Sequence, residues 1–134
     1  MTQERKDLLL KDLCARLPYG VKGEKYTIRM DGEFVPLIDV EIITAEDIIT
    51  LNGCPGYMIK PYLFPLSSMT EEQEEELDKY LDMDSKSLID GYKNGLKCAH
   101  PYFNVQDWYN KNHFDYRGLI PMGLAKDATG KNIY

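Results

Sequence analysis

Residues 26–42 read YTIRMDGEFVPLIDVEI, and the prediction of the fold rests mainly on them. Before the Asp31-Gly32 pair, apolar and polar residues alternate, which is typical of a half-buried strand. An Asp-Gly pair between two such runs is the strongest short-range signal for a two-residue β-hairpin. Phe34 therefore begins the return strand, and residues 38–42 alternate again. The stretch predicts short antiparallel strands.

Further strands are predicted on the C-terminal side of this hairpin. Residues 48–51 form an apolar run before a turn, and residues 57–59 form another. Pro61 restricts the next residues to a sheet edge or a loop. Residues 19–66 are therefore predicted to form a small curved antiparallel sheet or an SH3-like barrel. The alternative for the middle of this region is a single helical turn that starts at Thr44.

A helix is predicted before this sheet, over residues 1–18. Apolar residues recur at three- and four-residue spacing with charged residues between them, which is typical of an amphipathic helix: Leu9, Leu10, Leu13, Cys14 and Leu17. Thr2 is suited to cap its N-terminus, and Pro18 ends it. The apolar side of this helix must pack against another part of the fold.

Residues 67–134 are predicted to be mainly helical. Thr70 and Gln73 have the spacing of a capping box, and glutamates fill the first turns, where the helix dipole favours negative charge. Asn104 is suited to cap a further helix, and residues 82–99 are expected to hold one or two short strands. The sequence thus predicts two helices and an irregular C-terminal tail that packs back on the sheet.

Composition favours a single α+β domain over residues 1–134. Hydrophobic residues make up 43% of the chain and charged residues 28%, which excludes a wholly disordered chain, a collagen-like repeat and a coiled-coil rod. The formal net charge is −6, and residues 70–90 alone carry nine acidic and two basic groups. This balance disfavours a broad basic footprint for duplex nucleic acid.

The sequence predicts a cytoplasmic protein that does not enter a membrane. The apolar run at residues 8–10 is too short for a signal peptide, and no stretch approaches the ~20 apolar residues of a spanning helix. Cys14, Cys54 and Cys98 are an odd number of cysteines at wide spacing, which does not resemble a disulfide framework.

Cys98, His100 and His113 are the candidates for metal binding or catalysis. Cys98 and His100 form one close pair, whereas a structural zinc site needs four ligands. A cysteine nucleophile needs a histidine beside it and Asp107 or Asp115 to orient that base, but the local sequence of such enzymes is missing. Glycine-rich phosphate-binding motifs are missing as well. We therefore predict no catalytic residue, metal or cofactor and favour a non-enzymatic protein. The alternative is an enzyme with a concave pocket in which Cys98, His100 or His113 meets a carboxylate.

Aromatic and basic residues are concentrated in the C-terminal third. The aromatics of residues 102–116 are a stacking platform or a protein-binding hot spot if exposed. Trp108 and Tyr109 lie on one predicted helix, and this spacing favours a place in the core. The nucleic-acid alternative requires five basic residues to converge on one face: Lys93, Lys97, Lys111, Arg117 and Lys126.

Three strings resemble the signatures of a group of short, uncharacterised proteins of Bacteroidetes and their phages and prophages. They are DLCARLPYGVK (residues 12–22), KPYLFPLSSMTEEQ (60–73) and HFDYRGLIPMGLA (113–125), in the same order and at similar spacing. The resemblance brings no activity, cofactor or catalytic residue. It implies a small phage-associated cytoplasmic protein of one domain, an accessory to phage or mobile-element biology. Cys98 and His100 lie outside the matching strings.

The function that the sequence favours is a module that binds another protein. Its predicted surface combines two prolines, aromatics that are hard to bury and two basic residues: Lys60, Pro61, Tyr62, Phe64, Pro65, Tyr116 and Arg117. The alternative for the loop at 60–65 is a proline-stiffened lid over the end of the barrel. Two alternative functions are a nucleic-acid-associated accessory protein and an acidic inhibitor that mimics DNA through residues 71–76.

Overall fold

The first helix forms where its cap and its leucine spacing predict it. In a computed structural model, which describes residues 2–79 and 105–134, helix α1 spans Gln3–Arg16. The Thr2 hydroxyl accepts a hydrogen bond from the Arg5 N–H at 3.3 Å and so caps the first turn. Leu9 and Leu13 are fully buried, whereas Cys14, which the spacing placed on the same apolar side, is exposed. A 3₁₀ turn, Leu17–Tyr19, separates α1 from the sheet.

Four strands form one sheet in the order β2-β1-β3-β4. Their bounds are Lys22–Ile28 for β1, Phe34–Ile42 for β2, Tyr57–Leu63 for β3 and Lys126–Asp127 for β4. β1 pairs antiparallel with β2 and β3, and β4 pairs parallel with β3. The α+β class is confirmed. The sheet is open rather than an SH3-like barrel, since β2 and β4 are edge strands in the described part of the chain. It is mixed rather than antiparallel throughout, because β4 runs parallel to β3.

The hairpin lies where the Asp31-Gly32 pair predicts it, but its loop is longer than two residues. Ile28 pairs with Phe34, which leaves residues 29–33 in the loop. The Asp31 carboxylate accepts a hydrogen bond from the Glu33 N–H at 3.1 Å. This side-chain contact stabilises a wider turn.

Residues 48–51 are helical, so the strand predicted for them is wrong and the alternative, helical structure that starts at Thr44, is found, although it extends beyond a single turn. Helix α2 spans Ala45–Gly53. The Thr44 N–H donates to the Asp47 carboxylate at 2.8 Å, and the Asp47 N–H donates to the Thr44 hydroxyl at 3.3 Å. This reciprocal capping box supplies partners for amides that a helix start leaves unpaired, and it outweighs the β propensity of the Ile-Ile-Thr run.

Pro61 lies inside β3, which continues to Leu63, so the loop predicted after it is wrong. The strand has the character of an edge at Pro61 itself, where it pairs only with β1. The Ile28 N–H donates to the Gly56 carbonyl at 2.9 Å. In the register set by this bond, Pro61 and its partner Gly23 form a non-hydrogen-bonded pair, and the proline nitrogen points away from β1. Pairing with β4 begins only at Tyr62. The missing N–H therefore costs β3 no hydrogen bond to β1.

Two helices and an irregular tail complete the described chain, as predicted. Helix α3 is described over residues 71–79 and begins with the predicted capping box, in which the Thr70 N–H donates to the Gln73 side chain at 2.9 Å. Helix α4 spans Val105–Lys111. The strands predicted within 82–99 and the cap predicted at Asn104 lie outside the described residues.

The tail packs back on the sheet through backbone pairing and its last side chain. Phe64 forms a parallel bridge with Phe114, and the Ala128 N–H donates to the Leu63 carbonyl at 2.8 Å. The Tyr134 hydroxyl donates to the Tyr62 carbonyl at 2.7 Å. These bonds bring residues 113–134 against β3.

A single apolar cluster joins α1, the sheet, α2 and the tail. Its buried members are Leu9, Leu13, Val21, Ile43, Leu51, Ile59, Leu63, Leu119, Leu124 and Ala125. Among the helices in the described ranges, none has both the length and the apolar character needed to cross a bilayer.

Candidate functional site

The β1–β2 hairpin and α2 carry most of the exposed large apolar side chains. Ten such side chains are exposed in the described ranges, and eight of them lie between residues 28 and 49. We call these eight residues the hairpin surface: Ile28, Met30, Phe34, Leu37, Ile38, Val40, Ile42 and Ile49. Isolated apolar residues are common on protein surfaces, but a concentration of this kind is typical of an interaction site.

The exposure follows from the position of β2 at the edge of the sheet. Eight of its nine residues are exposed, and the ninth, Val35, is half-buried, so neither face of the strand is covered. The Ile28 N–H points toward Gly56, away from β2. Its partner Phe34 therefore directs its own N–H and C=O groups to the open edge.

Several features of β2 oppose the addition of another strand along this edge. Pro36 has no N–H to donate, and the β1–β2 register shifts twice between Gly23 and Tyr26. Asp39 and Glu41 add charge. Prolines, bulges and charges of this kind protect edge strands from indefinite pairing. The hairpin surface is therefore suited to contact through side chains rather than through a continuous backbone ladder.

The segment that carries the hairpin surface is also rich in acidic residues, which we call its acidic rim. Residues 28–49 contain six acidic side chains and one basic side chain, Arg29. Lys25, on neighbouring β1, contacts Glu41 at 2.7 Å and Asp47 at 2.9 Å and so neutralises part of this charge. Three carboxylates of the rim make no ion pair within the described residues: Glu33, Asp39 and Glu46. A partner with basic groups around an apolar centre matches this surface.

A buried polar cluster lies on β1 and the neighbouring strands. The Glu24 carboxylate accepts hydrogen bonds from the hydroxyls of Tyr26 and Tyr62 and contacts the Lys126 ammonium at 2.6 Å. Burial raises the pKa of Glu24, but the hydrogen bonds from Lys126 and the two tyrosines outweigh it and lower that pKa to about 2. Burial and the bond to Glu24 raise the pKa of Tyr62 to about 12.

We expect Glu24→Gln to remove a pH-dependent part of the stability. The pKa of Glu24 in the folded protein, about 2, lies below the ordinary value of 4.5, so the ionised group stabilises the fold above pH 4.5. This contribution, on the order of 1–2 kcal/mol after solvent screening, is lost as the pH falls toward 2. Thermal melts of the wild type and the variant should differ most at pH 7 and converge near pH 2. A difference in melting temperature that stays the same from pH 7 to pH 2 would contradict this. Glu33→Gln, at an exposed position, is the control.

The surface predicted from the sequence does not form the expected loop. Lys60, Pro61 and Tyr62 belong to β3, and Pro61 and Tyr62 are buried. Phe64 and Pro65 follow the strand and are half-buried. The residues at 60–63 are thus an inner strand of the sheet and not a lid.

Tyr116 and Arg117 take part in a buried ion-pair network. Arg16 is fully buried and contacts Asp12 at 2.7 Å, and Arg117 contacts the other oxygen of Asp12 at 3.1 Å. Arg117 also donates to the Tyr116 hydroxyl at 2.9 Å. A second bond of Arg16, to the Phe114 carbonyl at 2.6 Å, ties α1 to the tail. These contacts give both predicted site residues a structural role.

The described aromatics of α4 and the tail stack on one another in pairs rather than forming an open platform. Trp108 is 1% exposed and lies on Phe114, with ring centroids 5.7 Å apart and ring planes 10° apart. Tyr109 and Tyr116 also stack, at 5.4 Å. The charges of Arg117 and Lys126 are paired with Asp12 and Glu24, whereas Lys93 and Lys97 lie outside the described residues.

His113 is the described member of the group considered for catalysis; Cys98 and His100 lie outside the described residues. Its ring stacks on Tyr134 with centroids 3.6 Å apart. Burial, with the charges of Arg16 and Lys22, lowers the pKa of His113 to about 4, so the ring is neutral at pH 7. Asp115 accepts bonds from two backbone N–H groups of the tail. Within residues 2–79 and 105–134 no group of three potential metal ligands occurs.

Comparisons with protein-family models, with curated proteins and with solved structures find no match to this chain. The function is therefore inferred from the geometry of the chain itself.

The hairpin surface was not among the sites predicted from the sequence, although a signal for it exists. Strand β2 reads FVPLIDVEI, and its apolar residues do not keep to alternate positions. Such a run normally predicts a strand that is buried on both faces. Pro36 shows that the strand belongs at an edge, where neither face is covered. Together these two features predict exposed apolar side chains.

Proposed function

We propose that the protein is a non-enzymatic interaction module and that the hairpin surface binds another protein. The observation that carries the proposal is the concentration of exposed apolar side chains on an edge strand and its hairpin. The transfer of such side chains out of water is the main favourable term in protein association. An apolar centre with a charged rim is also the usual arrangement of a protein–protein interface.

The charges of the hairpin surface favour a different protein over a second copy of this chain. In a symmetric dimer the same patch faces itself, so the acidic rim of one copy would oppose that of the other. Like charges across an interface weaken binding. We therefore expect a partner with an apolar patch and basic side chains around it, and we expect binding to weaken as salt is added.

The phage-associated context that the sequence resemblance implies belongs to the same proposal. In that context we expect the partner of the hairpin surface to be a host or phage protein. Lysates of infected and uninfected Bacteroidetes cells are therefore the natural source of the partner.

The proposal is tested with three tagged proteins: the wild type, Leu37→Lys/Val40→Lys, and Leu66→Lys. Leu37 and Val40 are 56% and 45% exposed, and Leu66, at 43%, is exposed outside the hairpin surface. Exposed positions tolerate such changes within about 0.5 kcal/mol of stability. Proteins captured from lysate with and without nuclease treatment are identified, purified and titrated against each of the three.

We expect a captured protein to bind the wild type and Leu66→Lys equally and the double variant at least about tenfold more weakly. Equal binding by all three proteins contradicts the proposed surface. Capture that disappears with nuclease supports the nucleic-acid alternative, and a stable homodimer of the purified chain contradicts the expected partner.

A further inference from the structure

A cavity of about 330 Å³ opens beside the sheet, where Tyr26 links it to the buried Glu24 cluster. Six of the residues that line it supply its charge and its apolar walls: Arg5, Tyr26, Phe34, Met58, Lys60 and Met122. Its volume lies at the lower end of the range of about 300–1,000 Å³ found for small-molecule sites. We call it the cationic pocket.

The pocket carries two positive charges that no carboxylate neutralises within the described residues. Neither Arg5 nor Lys60 takes part in an ion pair there. Glu24, the carboxylate bonded to Tyr26, is already satisfied by Lys126 and two tyrosine hydroxyls. The pocket is therefore electropositive although the chain as a whole has a net charge of −6.

The remaining walls are apolar and aromatic. Met58 and Met122 are partly buried against the core, and methionine side chains adapt readily to the shape of a bound group. The Tyr26 ring lies beside two ammonium groups, since Lys60 and Lys126 are each 5.8 Å from its centroid. Its hydroxyl is bonded to Glu24, so the ring is held in place.

We propose that the cationic pocket binds a small organic anion, with a carboxylate or phosphate held by Arg5 and Lys60 and an apolar body, such as an aromatic ring, against Phe34, Met58 and Met122. Arginine donates paired hydrogen bonds to either kind of anion, and lysine supplies a second point charge. The apolar body gains from leaving water. An inorganic anion has no apolar body to remove from water. A neutral ring has no negative charge to bind Arg5 and Lys60.

This proposal goes beyond the proposed function and does not depend on it. The hairpin surface and the pocket share Phe34, so the test leaves this residue unchanged. It uses the purified chain alone, with phenylacetate and phenyl phosphate as probes, inorganic phosphate as the anion without a ring and benzyl alcohol as the ring without an anion.

The measurement is the change in NMR chemical shift of the methionine methyl groups. We expect phenylacetate, phenyl phosphate or both to shift the methyls of Met58 and Met122 saturably at millimolar or lower concentration. The methyl of Met30, which is fully exposed in the hairpin loop, should not move. Which of the two anions binds more tightly distinguishes a carboxylate site from a phosphate site. Inorganic phosphate and benzyl alcohol should bind at least about tenfold more weakly.

Variants decide whether the two cations hold the ligand. Arg5→Gln and Lys60→Met should each weaken binding about tenfold while the other methyl signals keep their wild-type positions. Lys11→Gln is the matched control, because Lys11 is exposed on the same helix as Arg5 and does not line the pocket. The proposal is overturned if neither anion binds saturably, if benzyl alcohol binds as well as the anions, or if both variants bind with wild-type affinity.

Discussion

Replacing Asp12 with alanine is expected to lower the free energy of unfolding by about 3–5 kcal/mol, a large part of the ~5–15 kcal/mol of a typical domain. Asp12 and Arg16 are both 0% exposed, and the Arg16 Nε lies 2.7 Å from the Asp12 carboxylate. Without Asp12, the guanidinium of Arg16 stays buried with no opposite charge beside it. Urea denaturation followed by circular dichroism measures the loss.

Two further variants show whether the loss comes from the unpaired charge. Asp7→Ala is the matched control on the exposed side of α1, and it should change stability by no more than about 0.5 kcal/mol. The double variant Asp12→Ala/Arg16→Met removes both charges and should be more stable than Asp12→Ala, since apolar replacement of a buried pair is often neutral. An Asp12→Ala protein within about 1 kcal/mol of the wild type would contradict the structural role of this ion-pair network.

Replacing Trp108 with alanine is the second change with a large expected effect, a loss of about 3–5 kcal/mol. The indole ring is buried, stacks on Phe114 and meets Tyr109 edge-on at 5.7 Å. Its removal leaves a cavity between α4 and the tail, and the surrounding side chains collapse into it only partly. Because the variant loses its tryptophan fluorescence, circular dichroism is the appropriate probe of unfolding.

This substitution also distinguishes the two interpretations of the C-terminal aromatics. If Trp108 belongs to the core, Trp108→Phe should cost clearly less than Trp108→Ala, because phenylalanine keeps most of the contact with Phe114. If it belongs to an exposed platform, both variants should keep wild-type stability and lose only binding. A Trp108→Ala protein with wild-type stability would thus support the nucleic-acid alternative.

The elements that were predicted correctly are those whose signals are local. Helix α1 has its cap at Thr2 and its buried residues at Leu9 and Leu13, as the spacing predicts. Helix α3 begins at the Thr70–Gln73 capping box. In each case the residues that set the boundary lie within a few positions of one another, so the sequence alone contains the information.

The elements that were mispredicted depend on competition or on distant partners. At α2 a capping box, which predicts a helix, competes with a β-branched run, which predicts a strand. The helix forms. Strand β4 has two residues and exists only because the tail reaches β3. The burial of Arg16 needs the Phe114 carbonyl, which is 98 residues away in sequence. No local pattern predicts contacts of this kind.

The candidate site was missed because apolar residues in a strand normally predict burial. The sequence places the hydrophobic residues of 34–42 in the sheet and predicts a surface among the prolines and aromatics at 60–65. In the structure the strand at 60–63 is largely buried and pairs first with β1 and then with β4, whereas the strand at 34–42 lies at the edge. Strand order decides which of the two is exposed, and strand order depends on the whole fold.

The most direct test of the hairpin surface is side-chain footprinting by hydroxyl radicals, with and without the captured partner, read by mass spectrometry. We expect Met30, Phe34 and Leu37 to become protected in the complex while Phe64 and Tyr116 keep their reactivity. Protection of Phe64 and Tyr116 with an unchanged hairpin would instead support the surface predicted from the sequence and contradict binding through the hairpin surface.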